Sequence, residues 1–169
     1  MEKNKLLIAV LGNEGSGKTT TWETLFGRKV HTGKNLRNLV IQGIKIPVFL
    51  INESPLERKT KLEYILPDDD PEIVISSFLY HKDVVENFEY FINRGYNIYV
   101  QWLNPGYNDK NHKALFYNDG IINYLLRCGA IVSAKNAKNN PVSRVNEIKN
   151  YLLSYFLTKN NLNVSIKSQ

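Results

Sequence analysis

Eight consecutive residues near the amino terminus have the types and spacing that bind phosphate. Residues 12–19 read GNEGSGKT and satisfy the pattern G-x-x-x-x-G-K-[ST]. The glycines allow successive backbone N–H groups to turn inward around an anion at the start of a helix. Lys18 would reach the β- and γ-phosphate oxygens with its positive charge, and the Thr19 hydroxyl would bind Mg²⁺. This segment, the phosphate loop, predicts binding of a nucleoside triphosphate with Mg²⁺.

A glycine-rich turn that binds nothing is the alternative interpretation, but such a turn needs neither Lys18 nor Thr19. Thr20 continues the run, and its hydroxyl would at most approach the α-phosphate. Lys18 is also a candidate catalytic residue, because it would face the terminal phosphate. The predicted nucleotide contacts in this part of the chain are Gly12, Asn13, Glu14, Gly15, Ser16, Gly17, Lys18, Thr19 and Thr20.

The phosphate loop needs a strand before it and a helix after it, and the apolar pattern supplies both. Short apolar runs bounded by Gly, Pro, Asn or Asp predict strands at 6–11, 39–41, 46–51, 73–78, 98–103 and 130–132. A short glycine-containing turn at 42–45 joins two of them, so these two are expected to be antiparallel neighbours. Strands and helical patterns otherwise alternate. The sequence therefore predicts an α/β three-layer sandwich, in which helices cover both faces of a six-stranded, mainly parallel sheet.

Helix starts and apolar stripes mark the covering helices. One stripe runs through 84–92 and another through 145–156. Residues 54–57 read Ser-Pro-Leu-Glu, which combines an N-cap, a proline at the first helical position and the glutamate of a capping box, so a helix is predicted to begin there. Asn140 and Pro141 predict the start of the last helix in the same way.

The composition is that of one domain over residues 1–169, with a tail at 160–169 that is expected to fray. The longest apolar run, 6–11, is far shorter than the roughly 20 residues of a membrane span, so no membrane insertion is expected and the cytoplasm is the expected location. The single cysteine excludes a disulfide framework and a cysteine-rich zinc site. A net charge of +6 favours polyanions, either nucleotide phosphates or an RNA, and leaves a basic surface for an RNA or protein partner.

The phosphate loop resembles that of the P-loop NTPases, and the order of elements resembles the Ras-like GTPase fold across nearly the whole chain. In that family a Ser-Ala-Lys segment after the last strand flanks the guanine base, and here Ser133, Ala134 and Lys135 follow the last predicted strand. Asn104 alone matches the family's Asn-Lys-x-Asp motif, since Asp109 lies two residues too late. The resemblance implies base contacts from Asn104 and from 133–135. Because the aspartate of that motif, which would accept hydrogen bonds from guanine, is missing, the nucleotide could be either GTP or ATP.

The family's Asp-x-x-Gly motif is also altered. Asn52 takes the place of the aspartate that anchors Mg²⁺ through water, and Pro55, which has no N–H, replaces the glycine that senses the γ-phosphate. Leu56 falls where a glutamine orients the attacking water, so slow hydrolysis is expected. Glu53 is the candidate to position that water, and Thr32, between the first helix and the hairpin, is a second candidate Mg²⁺ ligand.

Two other functions stay open. A small P-loop phosphotransferase, a kinase, would hold ATP in the same loop and pass the phosphate to an acceptor hydroxyl instead of water. A nonenzymatic module would keep the nucleotide for structure and present its basic surface to RNA or protein. Transfer of labelled phosphate would identify the first, and salt-dependent binding without turnover would identify the second.

Overall fold

Six strands form one sheet in the order β2-β3-β4-β1-β5-β6 in the computed structural model, which describes residues 4–109 and 120–160 of the chain. The strands are β1 (Lys5–Gly12), β2 (Arg37–Ile41), β3 (Ile44–Ile51), β4 (Ile73–Leu79), β5 (Tyr96–Leu103) and β6 (Ile131–Lys135). Neighbouring strands are parallel except β2 and β3. The mainly parallel sheet and its one antiparallel pair confirm the predicted fold class.

The hairpin between β2 and β3 turns at Gln42 and Gly43, both of which have positive φ. Two positive φ values at the centre of a two-residue turn match the right-handed twist of the flanking strands, which fixes the antiparallel register. Ile41 accordingly lies opposite Ile44. The hairpin is confirmed where the sequence placed it.

Helices cover both faces of the sheet. They are α1 (Lys18–Phe26), α2 (Val84–Ile92), α3 (Ile121–Arg127) and α4 (Val142–Lys159). Helices α1 and α4 pack on the face that carries Leu6, Ile8 and Val10 of β1, and α2 and α3 pack on the opposite face. Because successive side chains of a strand point to opposite faces, a continuous apolar run such as that of β1 serves both layers. Among the described residues, no helix has the length and apolarity that crossing a membrane requires.

The helix predicted to begin at Ser54 does not form, and this prediction is wrong. The chain makes a single turn in which the Arg58 amide donates to the Ser54 carbonyl, and a short 3₁₀ helix, Leu62–Tyr64, follows. The Ser54 hydroxyl accepts a hydrogen bond from the Leu79 amide at the end of β4, so it is not available as a helix cap. Lys59 then adopts a positive φ, which ends the turn.

Helix α1 is fixed to the sheet through Trp22. The Trp22 indole is fully buried, and its Nε1 donates to the Ser77 hydroxyl of β4 at 2.8 Å. Replacing Ser77 with alanine would leave a buried donor unsatisfied, so we expect Ser77→Ala to lower the free energy of unfolding by about 1–3 kcal/mol. Urea denaturation measures this, and Ser76→Ala is the matched control, since the Ser76 hydroxyl makes only a 3.4 Å contact with the Ser77 carbonyl. Equal losses of unfolding free energy in Ser77→Ala and Ser76→Ala would contradict a stabilising role for the hydrogen bond between Trp22 and Ser77.

Candidate functional site

The phosphate loop joins the end of β1 to the start of α1, as predicted. Gly17 is the residue before the first helical turn and has a φ of 102°. A Cβ on Gly17 would lie 3.2 Å from Nη2 of Arg144, and one on Gly12 would lie 2.4 Å from the Ser16 hydroxyl. The positive φ at Gly17 and the close contacts at both positions favour glycine.

Lys18 is the buried cation of this site, with 6% of its surface exposed. Its Nζ donates to the carbonyls of Asn13, at 2.8 Å, and Gly12, at 3.2 Å. Nζ also lies 3.2 Å from Oε1 of Glu57. Burial lowers the pKa of Lys18, and the negative charge of Glu57 partly opposes that shift. The ammonium is thus held against the beginning of the phosphate loop, and the residue that carries it is the first of α1.

A cavity of about 320 Å³ opens beside this ammonium and combines the phosphate loop with the end of β3. It is lined by Glu14, Gly15, Gly17, Lys18, Thr19, Thr20, Asn52, Glu53 and Glu57. Most of the predicted phosphate contacts, among them the predicted Mg²⁺ ligand Thr19, therefore share one cavity with the predicted water-positioning Glu53. Gly12, Asn13, Ser16 and the second predicted Mg²⁺ ligand, Thr32, do not line it. Backbone amides and an ammonium on one side suit an anion, while the carboxyl, amide and hydroxyl oxygens suit a hydrated Mg²⁺.

Glu57 is the residue of this cavity that sequence reasoning missed. Its carboxylate bridges the Lys18 ammonium, through Oε1, and the Ser54 amide, through Oε2 at 3.3 Å. The sequence pattern assigned Glu57 to a capping box, and the contact with the Ser54 amide is half of such a box, although no helix follows. Glu53, in contrast, has 63% of its side chain exposed and pairs loosely with Arg58 at 3.8 Å. Glu57 is therefore the carboxylate in contact with the buried lysine.

Asn52 ties the end of β3 to the connection between α1 and β2. Its backbone N–H donates to the Thr32 hydroxyl at 2.9 Å, and its side-chain Nδ2 donates to the Val30 carbonyl at 3.2 Å. The Asn52 Oδ1 is buried and has no hydrogen-bond partner among the described residues. The Thr32 hydroxyl thus already accepts a hydrogen bond from the chain, and its role as an Mg²⁺ ligand stays a prediction. Strand β4 separates β3 from β1, so Asn52 lies two strands away from the phosphate-loop strand.

Asn104 links three loops instead of presenting a free amide. Its Nδ2 donates to the Ser16 carbonyl of the phosphate loop at 3.3 Å and to the Asp109 carboxylate at 3.2 Å, and its Oδ1 accepts from the Ala137 amide at 2.7 Å. Asp109, which the sequence motif placed two residues too late, is buried and forms an ion pair with Lys138. The carboxylate therefore does reach Asn104, because the loop after β5 folds back.

Replacing Asn104 should loosen this crosslink. We expect Asn104→Ala to lower the free energy of unfolding by about 2–4 kcal/mol, because the Ser16 carbonyl and the Ala137 amide both lose their side-chain partner. Thermal or urea unfolding measures the loss, and Asn139→Ala, an exposed position in the β6–α4 connection, should change it by less than about 0.5 kcal/mol. A loss no larger than that of the control would contradict this role for Asn104.

The segment Ser133, Ala134 and Lys135 lies inside β6, not after it as predicted. The parallel ladder between β5 and β6 continues as far as the pair Leu103 and Lys135, so backbone pairing extends the strand over all three residues. Ala134 and Lys135, with Asn104 and its neighbours, line a second cavity of about 270 Å³, whereas the Lys135 ammonium pairs with Glu147 of α4. A base contact from Ser133, Ala134 and Lys135 stays a prediction.

Neither a scan against models of protein families nor a search of curated proteins found a match for this sequence.

Proposed function

We propose that this protein binds a nucleoside triphosphate together with Mg²⁺ in the cavity at residues 12–19, and hydrolyses it slowly as a Ras-like P-loop NTPase. The observation that carries the proposal is the buried Lys18 ammonium at the start of α1, beside a cavity of about 320 Å³. A cation and free helix-terminal amides that face one cavity form an anion site. The sequence pattern G-x-x-x-x-G-K-[ST] narrows that anion to a nucleotide phosphate.

The same cavity offers oxygen atoms that would hold the metal. The Thr19 hydroxyl lines it and would take one coordination place on Mg²⁺, which retains water in its other places. Asn52 also lines the cavity, and its Oδ1 is buried without a hydrogen-bond partner among the described residues. Mg²⁺ held by these residues would offset the negative charge of the phosphates.

Slow turnover is favoured by the side chains at the end of β3 and in the turn that follows it. Leu56 packs against the apolar core, does not line the cavity and has no polar atom to orient a water molecule. Glu53 lines the cavity but is largely exposed. Glu57 is engaged with Lys18 and the Ser54 amide. Positioning of the nucleophile contributes much of the rate in phosphoryl transfer, so a site without a dedicated water-orienting group hydrolyses slowly.

Binding is tested by the thermal stability of the protein with ATP, GTP, ADP or GDP, each with and without Mg²⁺. A nucleotide present at 1,000 times its Kd should add about 4 kcal/mol to the free energy of unfolding. Stabilisation by a triphosphate with Mg²⁺ is expected, and the order of ATP and GTP then assigns the base. No stabilisation by any of the four would overturn the proposal.

Turnover is tested separately by the release of inorganic phosphate from the preferred triphosphate. Slow release is expected. Faster transfer of labelled phosphate to an added acceptor would identify a phosphotransferase instead. Binding without any release would identify a nonenzymatic module, whose contact with RNA should weaken steeply with salt.

A further inference from the structure

Arg144 is a buried cation directly behind the phosphate loop. It lies in the first turn of α4, and 4% of its surface is exposed. Its Nη2 donates to the Gly17 carbonyl at 3.3 Å. Its Nε and Nη1 are buried without a hydrogen-bond partner among the described residues. The guanidinium is therefore only partly satisfied by the fold.

The described residues provide no carboxylate partner for this guanidinium within ion-pair distance. Burial lowers the pKa of Arg144, yet an arginine side chain remains protonated in proteins. Burying a charge without an opposite charge is strongly unfavourable. In the free protein the guanidinium gains only its hydrogen bond to the Gly17 carbonyl, whereas an anion bound nearby would compensate its charge.

The contact with Gly17 shows how Arg144 would act on such an anion. The Gly17 carbonyl and the Lys18 N–H belong to the same peptide group, and that N–H is among the amides at the start of α1 that lack an intrahelical partner. The carbonyl already accepts from the Thr21 amide at 3.1 Å and the Thr21 hydroxyl at 2.9 Å. A further charged donor polarises the peptide and strengthens its N–H as a donor toward the phosphate.

We propose that Arg144 is a positioning residue of the phosphate site, a second buried cation that acts on bound polyphosphate through the Gly17 carbonyl without touching the ligand. The bound polyphosphate supplies the opposite charge that the fold lacks. This inference rests on the proposed function, because it assumes that the loop binds phosphate. It implies that Arg144 lowers the stability of the free protein and raises the affinity for polyphosphate.

The test measures the affinity for tripolyphosphate with Mg²⁺ by calorimetry, beside the melting temperature of the free protein. Arg144→Met removes the charge and keeps an unbranched apolar chain. We expect it to weaken binding about tenfold while the melting temperature stays the same or rises. Arg144→Lys keeps the charge and should bind within about threefold of the wild type. Lys149→Met, which removes a charge five residues further along α4, should change neither quantity.

A screening series separates this effect from general surface charge. The loss caused by Arg144→Met should persist in high salt, since a buried charge is screened far less than an exposed one. The inference is overturned if Arg144→Met binds as tightly as the wild type, melts at a lower temperature or fails to fold. A tenfold loss of affinity in Arg144→Lys would overturn it as well. If the wild type binds and Lys18→Ala does not, the proposed function stands whatever Arg144→Met does. If the wild type binds no tripolyphosphate, both proposals fail.

Discussion

Lys18→Ala should remove nucleotide binding almost completely. A charged hydrogen bond contributes about 1.5–3 kcal/mol, and the ammonium is expected to contact oxygens of two phosphates. A total of about 3 kcal/mol corresponds to a loss of at least about 100-fold in affinity. Calorimetry with the preferred triphosphate and Mg²⁺ measures the change.

Lys45→Ala is the matched control, because Lys45 is an exposed lysine on β3, away from the cavity. It should bind like the wild type. Circular dichroism of Lys18→Ala checks that the fold survives the loss of a buried side chain. A folded Lys18→Ala that binds the triphosphate as tightly as Lys45→Ala would refute the assignment of the phosphate loop.

The charge on Lys18 also predicts a dependence of affinity on pH. Burial lowers the pKa of Lys18 below 10.5, so the free protein loses this charge at a lower pH than an ordinary lysine would. Affinity for tripolyphosphate should therefore fall as the pH rises through that lowered pKa. Lys18→Met, titrated in parallel, should lack this part of the pH profile. If the affinity of Lys18→Met depends on pH in the same way as that of the wild type, another group titrates and the prediction is wrong.

Glu57→Gln should produce the second large effect, a gain in affinity of about tenfold. In the free protein the Glu57 carboxylate contacts the ammonium that the phosphates need, at 3.2 Å. A bound triphosphate must share or displace that carboxylate, and the two negative charges repel each other. The neutral amide keeps the shape of the side chain and removes about 1–2 kcal/mol of this competition, since Glu57 is only partly exposed.

Glu53→Gln is the control for this prediction, because Glu53 lines the same cavity but pairs with Arg58 instead of Lys18. It should change affinity by less than about threefold. Titration of both variants with ATP and GTP in the presence of Mg²⁺ gives the comparison. Weaker binding by Glu57→Gln than by Glu53→Gln would mean that Glu57 supports the bound metal or ligand, not that it competes with it.

The sequence was sufficient for the parts of the fold that depend on local patterns. Continuous apolar runs identified the strands, and Gly43 placed the turn of the hairpin. The pattern of residues 12–19 correctly predicted a loop between a strand and a helix, and the binding of phosphate by that loop stays a prediction. The apolar stripes at 84–92 and 145–156 identified α2 and most of α4.

Features that depend on distant partners could not be predicted. Nothing in the apolar runs indicates that β4 inserts between β3 and β1. The helix predicted to begin at Ser54 does not form, because the Ser54 hydroxyl accepts a hydrogen bond from the Leu79 amide and Glu57 pairs with Lys18. Both partners are far away in the sequence. The spacing of Asp109 does not match the Asn-Lys-x-Asp motif, and its contact with Asn104 forms only because the loop after β5 folds back. The tail predicted to fray lies outside the described residues beyond Asn160.

The burial of Trp22 between α1 and the sheet gives this molecule an intrinsic optical reporter. Trp22 lies four residues after Lys18, and its indole is fully buried and donates a hydrogen bond to Ser77, so we expect its emission to respond to a shift of α1 against the sheet. The chain has one other tryptophan, Trp102, whose ring stacks on Tyr80 at 5.7 Å. Trp102→Phe would leave a single tryptophan, so that any shift of α1 on addition of nucleotide could be followed in real time without a dye.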